Sequence, residues 1–253
     1  MTPALFVLDA ASVSEPVIVL SGREGHHAAD VRRLRVGEVV DVSDGRGTRV
    51  RCRVRDVERS RVLLDVQARS SEPAPRPWLV VAQALIKQDA AERAVAGMTE
   101  VGVDAVVPWV AERSVVTWSG DRVERGVRRW QTTATEAAKQ ARRAWVPQVS
   151  APASLSELVG RVRDADLALG LDGQAPSALG RLDVPDEATV LLVVGPEGGL
   201  TPHETSALET AGAVRVHLGP TVLRAATAGT AAAAVLLSRS RRWTIPHQGV
   251  PAG

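Results

Sequence analysis

The amino-acid sequence predicts a two-part α/β protein: a small β-barrel over residues 1–72, then a larger domain over 73–253 built on a parallel sheet. Three features lead there. The first 70 residues hold four short Val-rich stretches separated by turn residues. A polar, Pro-rich linker, SSEPAPRP at 70–77, follows. Beyond it, strand-like apolar runs alternate with helix-period segments, the pattern of a parallel sheet covered on both faces.

In the first part the strands are VIVL (17–20), EVVDVSD (38–44), TRVRCRVRDV (48–57) and RVLLDVQA (61–68). The third alternates Arg with apolar residues over eight positions, the period of a strand with one wet face. Asp44-Gly45-Arg46-Gly47 supplies the turn chemistry before it. A single helical patch is expected from His26 to Leu34. In the second part the order is strand WLVVAQALI, helix DAAERAVAGMTEVG, strand DAVVPWV, then a long helix from Asp121 to about Ala144. SLSELVGRV (helix), ADLALGL (strand) and TVLLVVG (strand) come next. A helix from Pro202 to Ala211, the strand AVRVHL and a last helix from about Ala226 to Arg241 complete the series, with a loose tail at 244–253.

Composition excludes several classes. With 45% hydrophobic and 24% charged residues the 253-residue chain is globular. One cysteine, Cys52, rules out a disulfide framework and a Cys-based zinc site, and fits a reducing cytoplasm. His26-His27 has no third ligand at metal spacing, so no metal is expected. The N-terminus lacks a signal-peptide pattern, and the longest apolar stretch, Ala225–Leu237, is too short and too interrupted to span a bilayer.

The formal charge of +2 does not announce a nucleic-acid binder. Its distribution is uneven, with two or three basic stretches and one acidic one, each of which also reads as an ordinary solvated face. Residues 113–150 carry eight basic and three acidic side chains, 221–253 carry four and none, and 46–69 hold eight Arg against three acids. Residues 151–220, with four basic and ten acidic side chains, conceal that excess in the total.

The sharpest local signal is LLVVGPEGGLTPHE at 191–204. An apolar strand ends at Gly195, and three Gly within five residues leave backbone amides open to a ligand, at the strand end where α/β sheets bind theirs. It is neither G-x-G-x-x-G nor a P-loop. Thr201-Pro202-His203-Glu204 reads as a capping box, which makes Glu204 a cap, whereas Glu197 has no such structural explanation. The second signal is HLGPTVLRAATAGTAAAAVLL at 217–237, where Arg224 stands just before a very Ala-rich helix whose small residues permit close packing.

Five blocks in register resemble the 16S rRNA (uracil-N3) methyltransferases, the RsmE family of the SPOUT superfamily: 26–47, 86–116, 129–149, 193–204 and 218–228. The resemblance implies a PUA-like RNA-binding barrel at the N-terminus and a SPOUT α/β domain whose last segment is threaded as a trefoil knot. It also implies S-adenosylmethionine (SAM) bound in that knot, a homodimer, and 16S rRNA or the 30S subunit as partner. Carried onto this sequence, Leu171, Gly195, Pro196, Glu197, Gly198, Gly199, Leu218, Gly219, Leu223 and Arg224 contact SAM. The chain departs from the family pattern at Ala225-Ala226, Thr221 and Gln88.

Methylating uracil N3 removes the imide proton from a splayed-out base and needs cations or a general base for the developing anion. The candidates are Arg224, Arg113, Arg143 and Glu136; Glu136, Gln140 and Arg143 fall at i, i+4 and i+7, one face of a continuous helix. Arg32, Arg35, Arg49, Arg51, Arg53 and Arg55 are the candidate RNA contacts. Two alternatives remain open at this level: ribose 2′-O methylation by the same superfamily, and a non-catalytic rRNA-binding assembly factor. Trp78, Trp109 and Trp145 read as packing residues, and Cys52 as inert.

Overall fold

The computed structural model describes residues 3–244, so the tail from 245 onward lies outside the described residues. The chain forms two compact units. Of the described residues, one unit gathers those up to Ala74 together with Ala138–Val146; the other gathers Pro75–Ala137 and Pro147 to Thr244.

The first unit contains β1 (Ala4–Val7), α1 (Ala10–Ser14), β2 (Val17–Leu20), α2 (Gly22–His26), β3 (Val39–Ser43), β4 (Thr48–Glu58) and β5 (Arg61–Ser71). Its five strands form one sheet in the order β1-β3-β4-β5-β2. Only β1 runs parallel to its neighbour, β3. The β3–β4 turn forms as expected: Asp44 Oδ1 accepts from the amides of Arg46 (2.7 Å) and Thr48 (3.0 Å). Strand β1 is not among the expected strands; its parallel pairing with β3, over 30 residues away in sequence, is what defines it. The helical patch starts earlier than His26, at Gly22, and continues as one π-helical turn over His27–Val31.

Alternation in β4 is real: Val50, Cys52 and Val54 are buried in the unit's core with Phe6, Ile18, Leu20, Val42 and Leu64. The opposite face is not uniformly wet. Arg53 and Arg55 are exposed, but Arg49 is buried. Burial pushes the Cys52 thiol up to about 12, so almost no thiolate exists near neutrality. Iodoacetamide at pH 8 is therefore expected to leave Cys52 unmodified in the folded protein and to label it on denaturation. Fast labelling of the native chain would contradict this packing.

The second unit holds β6 (Trp78–Ala84), α3 (Gln88–Val101), β7 (Ala105–Trp109), α4 (Asp121–Gln140, its last turn grouped with the first unit) and β8 (Gln148–Val149). Next come α5 (Leu155–Asp164), β9 (Leu167–Leu171), β10 (Ser177–Ala178), β11 (Thr189–Val194), α6 (Pro202–Thr210), β12 (Val214–His217) and α7 (Ala225–Ser238). The seven strands are ordered β10-β12-β9-β11-β6-β7-β8, and every pairing is parallel. The unread elements are β8 and β10, two residues each.

Strand period two divides the core into two layers. Leu79 and Val81 of β6, with Val190, Leu192 and Val194 of β11, pack against α3 and α7. Ala82 and Ala84, with Leu191 and Val193, pack against α5 and α6. The Ala-rich composition of α7 permits a close helix crossing. A Cβ added at Gly229 would lie 2.8 Å from Met98 Sδ on α3, and one at Gly97 would lie 2.8 Å from Thr230 Oγ1. At the other end of the sheet the Arg242 guanidinium grips buried Asp104 at 2.6 Å (Nη1–Oδ2) and 3.2 Å (Nη2–Oδ1), tying the turn after α7 to the sheet.

The long helix ends at Gln140 rather than near Ala144. Arg142 takes a left-handed conformation (φ +58°), and the amides of Arg142 and Arg143 donate to the carbonyls of Lys139 and Ala138. This is a Schellman termination with Arg where Gly is usual. Glu136, Gln140 and Arg143 consequently do not share one helical face, because the chain leaves the helix before Arg143.

Candidate functional site

Three neighbouring parallel strands, β12, β9 and β11, reach their carboxyl ends together, and a cavity of about 550 Å³ lies there. That is the position at which open α/β sheets bind ligands. Leu171 and Asp172 line it from the end of β9, Val194 and the following loop from β11, and Val216, His217 and the following loop from β12. The first turn of α7 and two α3 residues, Ala90 and Arg93, complete the wall.

The loop after β11 is fixed at both ends. Buried Trp109 donates its indole N–H to the Val194 carbonyl at 3.0 Å. Beyond the loop, Glu204 is fully buried and closes the capping box of α6: its Oε2 accepts from the Thr201 amide (2.8 Å), and Thr201 Oγ1 accepts from the Glu204 amide (3.2 Å). Its second oxygen accepts from the Glu112 amide at 2.8 Å. Glu204 is thus structural, as the motif predicts. The Glu112 carboxyl itself is held below the usual range, chiefly by its hydrogen bond with His203. Between the two anchors, Gly199 has φ +69°, a conformation that a side chain would strain.

Arg113 is committed to the same loop. Its Nη1 donates to the carbonyls of Gly198 (3.0 Å) and Leu200 (3.2 Å). It does not line the cavity, and these two hydrogen bonds tie it to the shape of the loop. Glu136, half-buried on α4, does not line the cavity either, and Arg143 belongs to the first unit.

The loop after β12 turns at Gly219 (φ +121°), whose amide donates to His217 Nδ1 at 3.0 Å. That bond requires an unprotonated Nδ1 and places the proton of the neutral ring on Nε2. The loop ends on Val222, 96% exposed, then Leu223 and Arg224. Arg224 is the N-cap of α7, and its carbonyl accepts from the amides of Thr227 and Ala228. No acidic residue stands in the first turn of that helix, so its N-terminal dipole adds to the positive potential at the cavity.

Of the ten residues assigned to the cofactor from sequence, nine line this one cavity: Leu171, Gly195, Pro196, Glu197, Gly199, Leu218, Gly219, Leu223 and Arg224; Gly198 does not. Asp172, His217 and Arg93 were missed. The first two sit at strand ends, where the strand-end rule would have found them. Arg93 carries no local signal, since an exposed Arg on an amphipathic helix is ordinary.

The candidate RNA contacts divide by environment. Arg32, Arg35, Arg53 and Arg55 are exposed, although Arg55 pairs with Asp65 and Arg53 Nη1 donates to the Gly37 carbonyl. Arg51 is half-buried and bound to Asp41 at 2.7 Å. Arg49 is 4% exposed and bonded to Glu72 (2.8 Å) and the Arg142 carbonyl (2.8 Å), which removes it from any accessible stripe. Among the described residues, no group of three or more His, Cys, Asp or Glu is arranged to hold a metal ion, and no helix is long and apolar enough to cross a membrane.

Comparison with known proteins agrees with this architecture. Residues 72–237 match the model of an RNA methyltransferase domain and residues 20–67 that of an RNA methyltransferase PUA domain. Ribosomal RNA small subunit methyltransferase E of Mycobacterium bovis is 41% identical over 247 residues, 96% of this chain and 94% of that protein. The protein of that name from Bacillus subtilis is 31% identical over 84% of this chain and 86% of its own length. A crystal structure of a ribosomal RNA small subunit methyltransferase E from Neisseria gonorrhoeae, bound to S-adenosyl methionine, superposes with a TM-score of 0.81 at 25% identity, covering 94% of this chain and 98% of that one. The two family models match the two units in chain order, and with 41% identity to such an enzyme over 96% of its length this chain belongs to the ribosomal RNA small subunit methyltransferase E family of RNA methyltransferases.

Proposed function

We propose that the cavity binds SAM and that the chain methylates N3 of a specific uridine in 16S rRNA, in the cytoplasm and as a homodimer, with its last segment threaded as a trefoil knot. The observation that carries this reading is the convergence of both glycine-containing loops and Arg224 on one cavity at the strand ends. The donor set suits the cofactor. Leu171, Val194, Leu200, Val216, Leu218 and Leu223 supply apolar wall, and the loops at Gly195–Gly199 and Leu218–Gly219 would offer backbone amides and carbonyls to an adenine edge. The volume lies within the range of roughly 300–1,000 Å³ usual for small-molecule sites. When bound, SAM supplies an electrophilic methyl group.

The chain's own residues then have separable tasks. Leu171 and the two loops bind and exclude water, Arg113 holds the first loop, and Gly219 and His217 fix the turn of the second. Arg224 faces the negative charge that develops on the uracil ring as the N3 proton leaves. The proton acceptor is not assigned to a residue. Exposed Arg32, Arg35, Arg53 and Arg55 of the first unit attract the rRNA backbone.

Primer extension on 30S subunits from a strain lacking the enzyme, incubated with purified protein and SAM, tests the reading. N3 methylation blocks base pairing, so a single new stop in 16S rRNA is expected. Methylation without a stop would instead indicate ribose 2′-O transfer, and SAM binding without any methylation a non-catalytic assembly factor.

A further inference from the structure

The cavity contains two guanidinium groups, Arg224 at the start of α7 and Arg93 on α3. Among the described residues, neither has a side-chain hydrogen bond or ion pair, whereas Asp172 in the same wall is already bound to Arg215 at 2.9 Å; Glu197, the other carboxylate of the wall, has none either and suits the cationic ammonium or sulfonium of the cofactor. Arg93 lies one helical turn from Ala90, the other α3 residue in the wall, so both project from the same face of a rigid helix. Their order also gives Arg93 room, since the neighbouring position in the wall carries only a methyl group.

A cavity with two uncommitted cations suits a complex with two anionic groups. SAM carries a net positive charge, with one anionic group, the α-carboxylate of its methionine tail. The second anion is the uracil ring once N3 loses its proton. Arg224 stands at the N-terminus of α7, where the helix dipole reinforces it, and that position suits a charge that develops during reaction. A fixed carboxylate needs no such reinforcement and is held well by a planar guanidinium with two parallel N–H donors. We infer that Arg93 binds the α-carboxylate of the cofactor and so sets how far the methionine tail extends along the cavity. This rests on the proposal that SAM occupies the site.

Arg93 is exposed on its helix, so Arg93→Ala is expected to fold normally. Calorimetry on the full-length protein with two ligands tests the assignment: S-adenosylhomocysteine, which keeps the amino-acid tail, and 5′-methylthioadenosine, which lacks it. In Arg93→Ala the affinity for S-adenosylhomocysteine should fall roughly ten- to a hundredfold, while that for 5′-methylthioadenosine stays within about twofold of wild type. Arg93→Lys should recover part of the loss, since it keeps the charge and not the fork. Equal losses for both ligands, or no loss for either, would overturn the inference, and the first would point to a general distortion of the cavity. An Arg93→Ala protein that binds both ligands normally but loses affinity for rRNA would place the guanidinium on a phosphate and also overturn it. Failure of wild type to bind either ligand would refute the cofactor reading beneath it.

Discussion

Arg224→Ala is expected to reduce kcat by two to three orders of magnitude while leaving the fold and rRNA binding close to wild type. The size follows from what the side chain does. A preorganised donor aimed at charge that appears only in the transition state is worth about 10²–10³ in rate when removed from other enzymes. Arg224 meets that description: it lines the cavity, has no side-chain partner among the described residues, and sits at the dipole-positive end of a 14-residue helix. Its backbone, not its side chain, caps α7, because the carbonyl accepts from Thr227 and Ala228. Truncation at Cβ therefore removes the charge without uncapping the helix. Single-turnover methyl transfer from labelled SAM at saturating rRNA measures the chemical step directly. Arg224→Lys should recover part of the rate, since charge is kept and the fork geometry is not. A variant with unchanged single-turnover rate would remove Arg224 from the reaction.

The legibility of this molecule was uneven for physical reasons. Parallel strands buried on both faces, such as Thr189–Val194 and Trp78–Ala84, announce themselves as short apolar runs, and the helices between them by their period. The capping box at Thr201–Glu204 was readable because its four residues make their bonds to one another. Lining residues at Gly195–Gly199 and Leu218–Arg224 were readable because strand-end loops place them. What sequence could not supply was context from distant segments. Arg113 reads as a free cation until Gly198 and Leu200, 85 and 87 positions away, accept its N–H groups. Nor does any local signal end α4 at Gln140, because the left-handed residue there is Arg142 and not a glycine. The alternation in β4 correctly assigned Val50, Cys52 and Val54 to the core, yet it was silent on which part of the other face is covered.

That covered part makes Arg49 the second large effect. In the alternating pattern it is equivalent to Arg53 and Arg55, so weaker RNA binding would be the expectation from sequence. The structure predicts loss of stability instead. Arg49 is buried between Asp41 (3.7 Å) and Glu72 (2.8 Å) and donates to the Arg142 carbonyl, which comes from the segment Ala138–Val146 grouped with this unit. Removing one member of a buried ionic cluster typically costs about 3–5 kcal/mol. For Arg49→Ala we expect the lower end, about 3 kcal/mol, because Arg51 still compensates Asp41 at 2.7 Å and Glu72 is partly solvated. The buried thiol of Cys52, the next residue along β4 from Arg51 and in the unit's core, reports this unit separately. Its alkylation in native buffer should accelerate on the order of a hundredfold in Arg49→Ala, as local opening becomes that much more populated. The double variant Arg53→Glu, Arg55→Glu makes the contrasting case, since both side chains are exposed. Its Cys52 should stay protected while rRNA affinity falls and the slope of log K against log salt flattens, by about 0.7–0.9 for each phosphate no longer neutralised. If Arg49→Ala left Cys52 protected and weakened only RNA binding, the buried cluster would carry no stability, and Arg49 would belong to the RNA-facing stripe after all.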